Sequence, residues 1–85
     1  RSWLAAELKG LGLAVLPSSA NFVMTRFAAG AVQAAAALAH LAGDGILVRG
    51  MGPYGLHDCL RITVGDERSM RALVKSLGEF LEAAE

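Results

Sequence analysis

The chain has 85 residues, 54% of them hydrophobic and only 19% charged, and eight Lys and Arg balance eight Asp and Glu. That length holds one domain, burying roughly 60–65% of the surface its unfolded form exposes. A net charge of zero lacks the broad positive field that draws proteins to nucleic acid or anionic membranes, so neither is an expected partner.

In chain order, Trp3, Leu4, Glu7, Leu8 and Leu11 recur at three- and four-residue spacings, and Gly12 follows where a left-handed helix end favours glycine. This predicts a short amphipathic helix. LGLAVLPSSA, at 11–20, then turns at Pro17, Ser18 and Ser19. NFVMTRF, at 21–27, is a β-prone run apolar on both faces, which suits a strand inside a sheet or beneath a partner. A second helix is predicted over about 30–41, stopped by Gly43, Asp44 and Gly45. The alanine-rich run around it, at 28–43, contains Gln33 and His40 and is shorter than the roughly 18–20 residues that cross a bilayer.

ILVR, at 46–49, reads as a second strand and CLRITV, at 59–64, as a third. Asp66 is placed to cap a final helix whose Met70, Leu73, Val74, Leu77, Phe80 and Leu81 form one apolar stripe. The expected fold is therefore α+β, a two-layer sandwich of about three largely antiparallel strands with helices packed on one face. It forms a single domain over residues 1–85. The chain starts without Met and without a signal peptide, and is expected to be a piece of something longer. Its high apolar content suggests that one face meets another protein surface.

Gly50, Gly52 and Gly55 spell G-x-G-x-x-G, the pattern of a loop that cradles dinucleotide phosphates. That loop works by joining a strand to a helix, so that phosphate meets free N–H groups at the helix start. Here the glycines lead to another strand, and Pro53 lacks an N–H. The pattern is read instead as a flexible strand-to-strand connection of about nine residues, longer than the usual two- to five-residue hairpin loop.

Its flanks carry more chemistry. Strand alternation puts Leu60, Ile62 and Val64 on the helix side and Arg61 and Thr63 on the other, while Arg49 shares a face with Leu47 and leaves Ile46 and Val48 toward the core. Two guanidinium groups would then project from the helix-free face, bracketing the loop that holds Tyr54. Their paired donors match a carboxylate or a phosphate, although a lone arginine on an open sheet is more often solvated or paired with a surface carboxylate.

The other polar residues have plainer readings. Cys59 is expected to be a small buried apolar residue; one cysteine excludes an internal disulfide and suits a reducing, cytoplasmic compartment. His40 lacks neighbours at metal-ligand spacing, His57 and Asp58 are loop neighbours rather than a dyad, and Asn21 tidies a turn. No catalytic or metal-binding residue is expected in this chain.

LPSSANFVMTRF at 16–27, GILVRGMGPYGLHDCLRITVGD at 45–66 and ERSMRALVKSLGEFL at 67–81, in that order, resemble the C-terminal small domain of histidinol-phosphate aminotransferases. These are fold-type I pyridoxal-phosphate enzymes, and the resemblance covers nearly the whole chain. It implies that Arg61 grips a substrate carboxylate, that Arg49 lies near the phosphate end of the substrate, and that Asn21 and Tyr54 line or shape that side of the site. It also implies a large pyridoxal-phosphate-binding domain outside this chain, supplying the Schiff-base lysine, and a homodimeric full enzyme. Lys9 and Lys75 match no family lysine motif, so the isolated chain is expected to bind no cofactor and to have no activity. Threonine-phosphate decarboxylases and aromatic amino acid aminotransferases share these motifs. A stand-alone small-molecule-binding module and a purely structural dimer are the readings from other classes.

Overall fold

A computed structural model describes residues 2–16, 19 and 21–83. Helix α1 is Ser2–Gly10, strand β1 Ala14–Leu16, strand β2 Phe22–Arg26, helix α2 Ala31–Gly43, strand β3 Arg49–Met51, strand β4 Leu56–Thr63 and helix α3 Glu67–Ala83. The fold is α+β, and its four strands form one antiparallel sheet in the order β1-β2-β4-β3.

Helix ends follow the local chemistry. Gly12 adopts φ +89° after α1, the Leu13 N–H donates to Leu8 O at 3.1 Å, and the Gly12 N–H donates to Lys9 O at 3.0 Å. The same wrap ends α2, where Gly45 has φ +79° and the Ile46 N–H donates to Leu41 O at 2.8 Å. Glycine at such a position satisfies terminal carbonyls without the Cβ penalty of a left-handed residue. Asp66 caps α3, its carboxylate accepting from the Ser69 N–H at 2.8 Å and from the Ser69 hydroxyl at 3.1 Å.

All three helices pack on one face of the sheet. Val23, Leu60 and Ile62 from the strands join Leu4, Leu8, Ala34, Ala37, Leu41, Leu73 and Leu77 from the helices in one buried core. Thr25 is buried in the same layer and its hydroxyl donates to Ala14 O at 2.9 Å. Helices α2 and α3 are tied by the buried Ser76, whose hydroxyl donates to Asp44 Oδ2. The opposite face, carrying Phe22, Met24, Arg26, Cys59, Arg61, Thr63 and Arg49, has no helix over it among the described residues.

The expected α+β sheet of about three strands is borne out, with a fourth strand among the described residues at 14–16, where AVL is too short to show alternation. Two expectations need correction. The strand expected at 46–49 lies at Arg49–Met51. Ile46 is still tied to the end of α2 by its N–H, and Ile46 and Val48 are drawn onto the core rather than into the ladder. The nine-residue connection shrinks to four, because β4 begins at Leu56. The chain turns through a 3-10 turn at Gly52–Tyr54 and a left-handed Gly55 at φ +78°. Of the predicted turn at 17–19, Pro17 and Ser18 lie outside the described residues.

Candidate functional site: an arginine pair on the open sheet face

The β3–β4 ladder puts Arg49 directly opposite Arg61, and the β2–β4 ladder puts Met24 on the other flank of Arg61. Residues directly opposite in an antiparallel pair share a face, with Cβ atoms about 4.5–5.5 Å apart. Arg49 and Arg61, with Leu47, Val48 and Thr63, line a shallow hollow of about 220 Å³. Leu47 is 87% exposed at its rim.

Like charges placed directly opposite destabilise a sheet unless something neutralises them. The ion pairs among the described residues are Arg26–Asp58 and Arg71–Glu67, and His40 Nε2 lies 3.7 Å from Asp44 Oδ2, so neither arginine of the hollow has an acidic partner there. Arg61 is half-buried, its Nε has no hydrogen-bond partner, and its Cζ lies 5.2 Å from the centroid of the Phe22 ring. Arg61 held in this way also borders the hollow. The arrangement can take a carboxylate or phosphate in the hollow, with charge-assisted hydrogen bonds from both sides.

Arg26, on the same face, is bound differently. Its Nε lies 3.1 Å from Asp58 Oδ2, and the Cys59 thiol donates to Asp58 Oδ1 at 3.4 Å. Burial pushes the Cys59 thiol up, and the hydrogen bond to Asp58 adds to that. Burial also acts to raise the Asp58 carboxyl, but the Cys59 hydrogen bond and the Arg26 charge outweigh it and hold it below the ordinary carboxylate range. Cys59 is buried, as a small apolar residue should be. Asp58 is thus engaged by Arg26 and Cys59, whereas the adjacent His57 is exposed.

The remaining predicted site residues stand apart from the pair. Tyr54 is 66% exposed in the β3–β4 turn, whereas Arg61 lies five residues along β4 from Leu56, roughly 16 Å at strand rise. Asn21 precedes β2 at the Thr63 end; its carbonyl accepts from the Val64 N–H at 2.9 Å and its N–H donates to Ser19 Oγ at 3.1 Å. Sequence reasoning missed Phe22 beneath Arg61. The signal for it, β2 registered on β4 so that Phe22 meets Thr63, is a cross-strand fact that no single segment carries.

A pyridoxal cofactor needs an amine to hold it. Lys9 and Lys75 are exposed on α1 and α3, in the layer opposite the arginines, and neither borders the hollow. The residues here do not fit the cofactor by themselves. No group of three or more His, Cys, Asp or Glu able to hold a metal occurs among the described residues, and no helix is long and apolar enough to cross a membrane.

The described fold is a small helix-backed sheet that presents Arg49 and Arg61 on its open face, and comparison with known proteins gives its class. The chain belongs to the aminotransferase class I and II family, whose profile matches residues 1–77. It is 48% identical over 82 residues to a histidinol-phosphate aminotransferase of Paramagnetospirillum magneticum, covering 95% of this chain and 23% of that protein. It is 49% identical over 83 residues to the histidinol-phosphate aminotransferase of a Jannaschia species, covering 98% and 23%. The crystal structure of histidinol-phosphate aminotransferase from Sinorhizobium meliloti in complex with pyridoxal 5'-phosphate superposes with a TM-score of 0.86 at 31% identity, covering 99% of this chain and 23% of that one. The chain therefore spans about a quarter of the length of these relatives.

Proposed function

We propose that this chain is the substrate-binding part of a pyridoxal-phosphate-dependent aminotransferase of the histidinol-phosphate type. The complete enzyme would pass an amino group between L-histidinol phosphate and 2-oxoglutarate, giving imidazole acetol phosphate and L-glutamate. Arg61 receives the substrate carboxylate and Arg49 the phosphate end, while Asn21 and Tyr54, which stand apart from the pair, take no direct part. The observation that carries this reading is the direct opposition of Arg49 and Arg61 over one hollow, with no acid among the described residues to neutralise either. The relatives' names give the substrate class.

In this reading a large domain outside the chain supplies the lysine and the cofactor pocket, and the complete enzyme is a cytoplasmic homodimer. The residues of this chain bind and orient anions, and they neither form a bond to the cofactor nor move a proton. Calorimetric titration of the chain with L-glutamate and with L-histidinol phosphate tests the proposal. Saturable heat with both is expected, that with L-glutamate lost in Arg61→Met and that with L-histidinol phosphate lost in Arg49→Met. Absence of heat with either in the folded wild-type chain would refute it. Mixing the chain with pyridoxal phosphate should give no aldimine absorbance band; a band lost on mutating Lys9 or Lys75 would contradict the separation of roles.

A further inference from the structure

The open face holds two half-buried arginines in two different ways. Arg26 is set against a carboxylate, Asp58, which fixes it and neutralises it. Arg61 has no acid near it among the described residues and is instead stacked on Phe22, with Cζ 5.2 Å from the ring centroid. The buried Nε of each arginine lacks a hydrogen-bond partner there, so the contrast lies in the carboxylate beside Arg26 and the ring beside Arg61. The register brings the ring beside Arg61, because Phe22 pairs with Thr63 and is only two residues from Met24, the cross-strand partner of Arg61.

We infer that Phe22 is the positioning residue of the anion site: its ring orients the Arg61 guanidinium and leaves the full charge free for the ligand. This rests on the reading of Arg61 as an anion-binding residue. An aromatic face attracts a guanidinium through its quadrupole, and it also removes water from one side of it. A carboxylate in the same place would orient Arg61 equally well, but it would compete with any anionic ligand for the same donors. The contrast with Arg26 shows both solutions on one sheet face. Arg26 is ion-paired within the domain, whereas Arg61 is oriented by a ring and has no counter-charge among the described residues. Stacking on one side also restricts the guanidinium plane, so that less side-chain freedom is lost when a carboxylate docks bidentately.

The test compares the wild-type chain with Phe22→Leu, Phe22→Tyr and Arg61→Met. Each is checked for native folding by amide NMR, and each is titrated with glutarate as a plain dicarboxylate probe. In the wild type the Arg61 side-chain protons should be displaced upfield by the ring current, and glutarate should bind. Phe22→Leu keeps an apolar side chain but should lose the upfield displacement and weaken glutarate binding about two- to five-fold, the range of an exposed cation–π contact. Phe22→Tyr, which keeps the ring, should retain both. If Arg61→Met abolishes binding while Phe22→Leu binds glutarate as tightly as the wild type, the positioning role is overturned and the anion site stands. If the folded wild type does not bind glutarate at all, the anion-site reading falls and this inference falls with it.

Discussion

Replacing Arg49 with Met should make the ligand-free chain more stable. Arg49 and Arg61 face each other across the β3–β4 ladder, and no acid among the described residues pairs with either. Two unit charges about 7 Å apart repel by roughly 0.6 kcal/mol in water and roughly 2.4 kcal/mol at an effective dielectric constant near 20. Arg49 is exposed, which puts the pair nearer the first limit, and directly opposed like charges fall in the range of about 0.2–1 kcal/mol. Arg49→Met removes that repulsion but leaves the Arg61–Phe22 contact in place. For a domain of this size about 0.2–1 kcal/mol corresponds to a Tm rise of roughly 1–8 °C. The assay is thermal unfolding followed by circular dichroism in a low-salt buffer free of multivalent anions. The gain should shrink at physiological ionic strength, where the screening length falls from about 30 Å at 0.01 M salt to about 8 Å. It should shrink further when phosphate is added, because a bound anion stabilises the wild type more than the variant. An Arg49→Met chain that is less stable than wild type at low salt, or that gains as much from phosphate as wild type does, would refute the reasoning.

Three further outcomes follow from the packing and the caps. Leu60→Ala empties a side chain that is 2% exposed beneath the arginine strand and should cost about 2–5 kcal/mol in urea unfolding, a large share of the roughly 4–13 kcal/mol expected for 85 residues. The Asp66 carboxyl is held below the usual range, first by the Ser69 N–H and then by the Ser69 hydroxyl. Its contribution is therefore fully present above the ordinary carboxylate pKa and is lost as pH falls through the lowered folded value; Asp66→Ala should remove this acid dependence and reduce the helicity of α3 at neutral pH. Cys59, buried with its thiol pushed up, should react with a disulfide reagent at neutral pH only as fast as the chain unfolds, and rapid labelling of the native chain would contradict its placement.

The helices were legible because their signals are local. Gly12, Gly45 and Asp66 each mark a boundary through the backbone conformation or the hydrogen bond their chemistry favours, and all three do so in the structure. Alternation in LRIT likewise placed Leu60 and Ile62 in the core and Arg61 with Thr63 on the other face. What the sequence hid depends on contacts between distant segments. A three-residue strand such as Ala14–Leu16 exists because β2 is beside it, with Val15 opposite Thr25. Apolar Ile46 and Val48 look like a strand, but the end of α2 turns them onto the core and the ladder passes to Arg49, Gly50 and Met51. The arginine site was half legible for the same reason. The type and spacing of Arg49 and Arg61 suggested anion chemistry, but their exact opposition and the ring under Arg61 are matters of register. Tyr54 shares the glycine-rich connection with Arg49 in sequence, but the tight turn carries it to the far end of the hairpin.

The central claim is that Arg49 and Arg61 form one anion site. Side-chain nitrogen NMR of the two guanidinium groups during a phosphate titration tests it most directly. The Nε–Hε signals of Arg49 and Arg61 should move together with a single midpoint, while that of Arg26, already held by Asp58, stays in place. Signals that move with different midpoints, or a response confined to other arginines, would contradict the account.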